Sequence, residues 1–387
     1  MHKPSHSLLH RRHWLQWVGA SAALSAVPGS QAASATAVEA SWPRFAQQFM
    51  QADGRVVSDD GKLSRTYSEG QSYALFFALV ANDRRRFDAL LHWTRDNLSQ
   101  GDLGQHLPAW LWGRQDDGAW GVIDSNSASD ADLWIAYTLL QAGRLWRYRP
   151  YTAQGRTLAA LIWQKEVAQL PGLGPSLLPG AQGFVLQPGQ RWRLNPSYLP
   201  LQVLQALALE MQEPGWQQLA DASLDLLVRS APAGITPDWT LYDSQQGFLT
   251  DETDTEAQGR GGYNAIRTYL WAGMLHPQAP GRAQLLRTLA PMAAIVERDQ
   301  APPEYIHPRT LVISGPGPSG FSAAMLPFLQ AQGASRALDA QRQRLQAQPL
   351  RPTAYYEQCL ALFGQGWMRK DYAFTPQGQL QLPWYKA

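Results

Sequence analysis

The chain has 387 residues, 45% hydrophobic and 17% charged, which is enough apolar material for one large or two medium globular domains and excludes a disordered chain. Its formal charge of +2 becomes 30 bases against 31 acids once Lys3, Arg11 and Arg12 of residues 1–32 are set aside, a balance that argues against a nucleic-acid partner. The single cysteine, Cys359, excludes an intrachain disulfide. With His2, His6, His10 and His13 at the start and His92, His106, His276 and His307 scattered, no metal or cofactor is implied.

Residues 1–32 read as an export signal. A basic run ends in Arg11-Arg12, an apolar stretch from Trp14 to Val27 is short for a bilayer span, and Ser30-Gln31-Ala32 and Ala33-Ser34-Ala35 offer small-residue cleavage sites. The run from His10 to Gln16 resembles a twin-arginine signal; an ordinary secretory signal with adjacent arginines is the other reading. The mature chain is expected to start near residues 33 to 36 and to lie in the periplasm or outside the cell. No later apolar run has membrane length.

Residues 36–387 read as one domain. Apolar residues recur at three- and four-residue spacing over 71–82, 84–98, 131–147, 153–169, 198–211, 215–230, 265–275, 281–297, 320–332, 335–347 and 353–364. A short opening helix near 43–51 brings the count to about twelve. The Pro- and Gly-rich stretch 171–193 predicts turns and a short hairpin. No strand–helix alternation appears, which argues against a parallel sheet. Twelve helices in six hairpins suit an all-α, (α/α)6 barrel with minor β-hairpin insertions; an irregular helical bundle or solenoid is the competing reading. Cys359 falls among apolar helical neighbours and reads as a buried, inert thiol.

Four helix starts carry chemistry. Ser68-Glu69-Gly70-Gln71 fits a capping box, with Ser68 as N-cap and Glu69 in the first turn. Ser129-Asp130-Ala131-Asp132 repeats the pattern. Asn195-Pro196-Ser197-Tyr198 and Gly262-Tyr263-Asn264 open the third and fourth. First-turn carboxylates are ordinarily explained by the helix dipole. In a barrel, however, inner-helix N-termini gather at one end, where Glu69, Asp130, Tyr198, Asn264 and Arg267 would line one cleft. Two carboxylates there could perform acid–base work on a glycosidic bond. The dipole lowers a carboxylate's pKa, so burial and neighbouring charge must outweigh it in a general acid. The 16 tryptophans suit a cleft that stacks indoles on sugar faces.

The run Ala128-Ser-Asp-Ala-Asp-Leu-Trp-Ile-Ala-Tyr-Thr-Leu-Leu-Gln-Ala-Gly-Arg-Leu-Trp146 resembles the signature of glycoside hydrolase family 8. Only Thr138 departs from the usual Ser or Ala. The resemblance extends through Ser68–Tyr73, Leu107–Gly113, Asp124–Ser127, Asn195–Pro200, Ala265–Arg267, Gly320–Pro327 and Phe363–Trp367, nearly the whole mature chain. Within that family the chain resembles most the periplasmic glucanases encoded with bacterial cellulose synthase. The resemblance implies a single catalytic domain and an endo-acting, inverting hydrolase of β-1,4-glucan or cello-oligosaccharides, associated with cellulose synthesis and with the synthase machinery as a potential partner. It implies Glu69 as general acid and Asp130 as the aspartate that binds the sugar at the cleavage point. Tyr198 and Arg267 match residues around the catalytic water, and Trp110, Trp112 and Tyr263 are sugar-contact candidates.

One position departs. Cellulases of the family carry aspartate three residues before the arginine, whereas this chain has Asn264. An amide has no basic site near pH 7. Three readings stay open: a carboxylate from the acidic run Asp251–Glu256 serves as base, Asp130 or Asp124 assists through a water, or the protein hydrolyses poorly and mainly binds glucan. A chitosan or xylan hydrolase is the neighbouring enzyme alternative.

Overall fold

The computed structural model describes residues 40–58, 64–251, 253–254 and 257–385. The expected export signal and the start of the mature chain lie outside the described residues.

Twelve helices are present among the described residues: α1 (Trp42–Phe49), α2 (Ser68–Val80), α3 (Arg84–Leu98), α4 (Ser129–Leu145), α5 (Arg149–Glu166), α6 (Leu201–Met211), α7 (Pro214–Arg229), α8 (Ala265–Gly273), α9 (Arg282–Asp299), α10 (Ser319–Ala331), α11 (Ser335–Ala347) and α12 (Tyr355–Arg369). The even-numbered helices touch in the cycle α2–α4–α6–α8–α10–α12 and back to α2. Each packs on an odd-numbered partner: α2 on α3, α4 on α5, α6 on α7, α8 on α9, α10 on α11 and α12 on α1. This is the closed (α/α)6 barrel expected from the periodicity.

Sequence explains which helices go inside. In α2 every residue from Ser68 to Leu79 is buried, and α4, α8 and α10 are buried almost all round, as helices without a polar face must be. Outer helices bury one stripe, such as Phe87, Leu90, Leu91, Trp93, Thr94 and Leu98 of α3. At the barrel centre Trp134 meets Tyr73, Phe76, Trp271 and Phe363, one aromatic cluster drawn from α2, α4, α8 and α12. Two inner helices touch backbone to backbone. A Cβ on Gly273 of α8 would lie 2.2 Å from the amide nitrogen of Phe328 in α10, so only glycine permits that approach. Cys359 is buried and burial pushes its thiol pKa up, in line with an inert group.

Short antiparallel strands decorate the barrel: β1 (Thr66–Tyr67), β2 (Ala109–Arg114), β3 (Trp120–Ser127), β4 (Val167–Leu170), β5 (Gly174–Leu177), β6 (Val185–Gln187), β7 (Arg191–Leu194), β8 (Thr240–Asp243), β9 (Gly247–Thr250), β10 (Pro303–Ile306), β11 (Ile313–Pro316), β12 (Ala373–Phe374) and β13 (Leu380–Gln381). They form sheets β1-β2-β3, β6-β7-β8-β9 and three hairpins. Strands β1, β3 and β11 run directly into α2, α4 and α10, and β7 leads to the 3-10 turn Pro196–Tyr198 before α6. The strands β1 to β11 therefore gather toward the N-terminal ends of the inner helices, whereas the β12–β13 hairpin, whose Leu380 amide donates to Gln141 near the end of α4, lies at the opposite end.

Three local expectations are corrected. The capping boxes do not form: α2 and α4 start at Ser68 and Ser129, with Tyr67 and Ala128 as uncapped N-cap residues. Gln71 instead accepts from the Val56 amide and donates to Gly54 and Thr94, because the buried first turn packs on the 54–56 segment and takes that side chain. The helix expected over 198–211 is a 3-10 turn that breaks at Leu199-Pro200 before α6, since Pro200 has no amide to continue the turn. The helix expected to Gln169 stops at Glu166, where β4 begins and pairs with β5.

Candidate active site

Glu69, Asp130, Tyr198, Asn264 and Arg267 converge at this end of the barrel. Arg267, in the first turn of α8 and 2% exposed, is the hub. Its Nη1 donates to Asp130 Oδ2 at 2.7 Å and to the Tyr73 hydroxyl at 2.9 Å. Its Nη2 donates to Asn264 Oδ1 at 2.7 Å and to Ser197 Oγ at 3.0 Å. The guanidinium also lies over the Tyr198 ring, 5.4 Å from its centroid. One cation thus ties together groups from α2, α4, the 196–198 turn and the start of α8. Burial works against its charge, but Tyr73, Tyr356, Asp130 and Tyr198 outweigh it and raise its pKa further, so it stays charged.

Glu69 is 3% exposed. Trp110 of β2 donates its indole N–H to Glu69 Oε1 at 3.1 Å, and Ser68 Oγ lies 3.4 Å from Oε2. The carboxyl's pKa is raised to about 7. Burial is the largest cause and the Asp130 charge the next. Its own backbone amide, Arg267 and the Trp110 N–H pull the other way and lose. Burial thereby overcomes the helix dipole, and a carboxyl at a helix N-terminus keeps its proton near neutral pH. Gly70 beside it is needed for space: a Cβ there would strike the Tyr355 hydroxyl at 1.6 Å.

Asn264 has its Oδ1 committed to Arg267. The amide's remaining polar atom is Nδ2, which can donate to a water but cannot take its proton. The loop beneath it is held by Asp238, whose Oδ1 accepts from the amides of Gly262, Asn264 and Ala265 at 2.8, 3.0 and 2.7 Å. Burial raises the Asp238 pKa to about 6, against those three N–H donors. Asp251 and Asp254 of the acidic run are both ion-paired to Arg193, at 2.6 and 2.9 Å, and that guanidinium covers Trp239. Glu252 and Glu256 lie outside the described residues. Asp124 accepts from the Asn126 amide within its own turn.

The aromatic candidates divide. Trp110 is buried against Glu69 and Tyr67. Trp112, two residues along β2, stacks on Trp120 of β3 at 5.4 Å and 21°, with Arg55 over both rings. Trp120 is 52% exposed. Tyr263 is buried, donates its hydroxyl to Glu304 at 2.8 Å and offers its carbonyl to the Tyr356 hydroxyl at 2.5 Å.

Sequence reading missed Tyr73, Ser197, Tyr356 and Asp238. Tyr73 was findable, four residues after Glu69 and so on the same helix face. Ser197 follows an Asx-type start at Asn195. Asp238 and Tyr356 reach the site through tertiary packing, with no local signal. Among the described residues no cluster of His, Cys, Asp and Glu could hold a metal, and no helix is long and apolar enough to cross a membrane.

An α/α barrel that places a proton-retaining carboxyl beside an Arg-paired aspartate fits the acid–base chemistry of a glycoside hydrolase. The family comparison agrees: residues 16–370 match the glycosyl hydrolases family 8, and the chain belongs to that family. An endoglucanase from Xanthomonas axonopodis pv. citri is 48% identical, over 89% of this chain and 88% of its own. One from Salmonella typhi is 44% identical over 95% and 96%. The crystal structure of endo-1,4-D-glucanase from Vibrio fischeri ES114 superposes with a TM-score of 0.80 at 42% identity, covering 89% of this chain and 98% of that one.

Proposed function

We propose that the protein is an endo-β-1,4-glucanase that cleaves cellulose-type chains by inversion, with Glu69 as the general acid. The observation that carries this reading is the Glu69 carboxyl, buried, bonded to Trp110 and protonated to about pH 7. A protonated carboxyl at that place gives its proton to the glycosidic oxygen as the bond breaks. Asp130, held by Arg267, binds the sugar at the cleavage point and supports its distortion. Tyr198 and Asn264 orient the attacking water from the Arg267 side. Trp112, together with the exposed indole of Trp120, supplies a flat face for a neighbouring glucose unit. Tyr263 shapes the floor through its carbonyl contact with Tyr356.

Asn264 restrains the rate. Among the described residues, four neighbouring carboxylates are engaged: Asp130 by Arg267, Asp238 by three backbone amides, Asp251 and Asp254 by Arg193. Water activation is then the slow step. A general base ordinarily contributes about 10²- to 10⁴-fold.

The leader, residues 1–32, supports export, and the periplasm is the compartment in which a glucanase of a cellulose-secreting system would meet its polymer. The matched relatives are named endoglucanases, which supports glucan over chitosan or xylan. Product analysis on cellohexaose tests the reading. Internal cleavage with the α-anomer formed first is the expected result; β-anomer products would exclude inversion, and release from chitosan or xylan without cellohexaose cleavage would move the substrate.

A further inference from the structure

Asp132 stands two residues after Asp130 in α4 and has no part in the scheme above. It is 0% exposed, and neither of its carboxyl oxygens meets an N–H or O–H donor. What it faces is a second buried acid. Glu166, the last residue of α5, is also 0% exposed and lies within hydrogen-bonding reach of it. Glu166 Oε1 accepts from Ser127 Oγ at 2.5 Å, and Ser127 Oγ accepts from the Ala181 amide at 3.0 Å. The Glu166 carbonyl accepts from Leu178 at 2.7 Å, and the Ser129 amide donates to Pro179 at 3.2 Å. The two carboxyls therefore join the first turn of α4, the end of α5, the end of β3 and the 178–181 loop.

Two carboxylates in contact in a dry interior cannot both stay ionised, and two acceptors make no hydrogen bond without a proton between them. We propose that Asp132 and Glu166 share one proton, forming a carboxyl–carboxylate pair that positions the turn carrying Asp130 and keeps one negative charge behind Glu69. Burial and then Glu166 push the Asp132 pKa well above the ordinary carboxylate range, with Asp130 and Glu69 adding to them. The charged groups acting on the pair are thus acids from α2, α4 and α5; the cation of the site, Arg267 from α8, is taken up by Asp130. Asp132 is a positioning residue, acting through Asp130 and through the field at Glu69. The field effect rests on the acid role of Glu69 proposed above, whereas the shared proton does not.

Two variants test it. Asp132→Asn keeps the shape and donates an N–H to an ionised Glu166. Asp132→Asn with Glu166→Gln keeps the shape and removes the charge. In wild type the folded state alone holds the shared proton above the ordinary carboxylate pKa. The ratio of urea unfolding constants, wild type to Asp132→Asn, should then rise about tenfold per pH unit between roughly pH 5 and 8. Glu166→Gln supplies the reciprocal ratio should the first variant not fold. In the pH profile of kcat, the alkaline limb set by Glu69 should stay in place in the single variant and move to lower pH in the double, which a purely structural role would not produce. A pH-independent ratio for the single variants would overturn the shared proton. The expected ratio with an unmoved limb in the double variant would overturn the field effect on Glu69.

Discussion

At the scale of single residues, the account turns on a competition at Glu69 between a helix N-terminus that favours its anion and a buried pocket that favours its acid. Burial wins, and the consequence reaches stability as well as chemistry. A carboxyl raised from 4.5 to about 7 holds a proton in the folded state that the unfolded chain has released. Its contribution is fully present below about pH 4.5 and is lost as pH rises to 7, a difference on the order of 3 kcal/mol. Glu69→Gln, which cannot ionise, should therefore be more stable than wild type at pH 8 and not at pH 4, by thermal melts at both pH values, while its kcat falls by about 10²-fold or more. Equal melting shifts at the two pH values would mean that Glu69 is not held as an acid. Trp110→Phe removes a donor that favours the Glu69 anion. The alkaline limb of the pH–kcat profile should move to higher pH; a shift to lower pH would contradict the assigned sign.

At the scale of elements, the helices were legible, and of the strands only the hairpin expected within 171–193 was, as β6 paired with β7. All twelve helices appear in the apolar spacing, because an inner helix shows a continuous apolar run and an outer one a single stripe. Helix starts misled at one level and succeeded at another. Ser68 and Gln71 read as a capping box because that pattern is local, yet the buried first turn sends Gln71 to Val56 and Gly54. The carboxylates behind the same starts did meet at one end of the barrel. The β2–β3 hairpin was missed as structure although its two tryptophan-bearing runs flank an Asp116-Asp117-Gly118 turn, since its motif residues drew attention to their chemistry. Asp238 could not be read at all: its role depends on a loop 24 residues away folding over it. The glycine contact between α8 and α10 is likewise visible only in three dimensions. Gly273→Ala should cost about 1–3 kcal/mol in urea unfolding, because the atom it meets is backbone and cannot swing aside. A neutral result would mean that the two helices are further apart.

At the scale of the whole molecule, the barrel is a device for pointing six helix starts at one cleft, and its centre is one aromatic cluster. Trp134→Ala, at 0% exposure between four inner helices, should cost about 3–5 kcal/mol and lower activity only through loss of folded protein. A loss of kcat per folded molecule would show that the core also sets the site's geometry. Strands and loops surround the end where the inner helices start, and β2 supplies from there the Trp110 indole that bonds the Glu69 carboxyl. The central claim is that this geometry cleaves glucan with Glu69 as acid and Asn264 as a weak substitute for a base. Reducing-sugar release from carboxymethylcellulose by wild type, Glu69→Gln and Asn264→Asp tests it most directly. The account predicts slow release by wild type, loss in Glu69→Gln and a gain of about tenfold or more in Asn264→Asp. Release that is undiminished in Glu69→Gln, or absent from all three proteins, would contradict it.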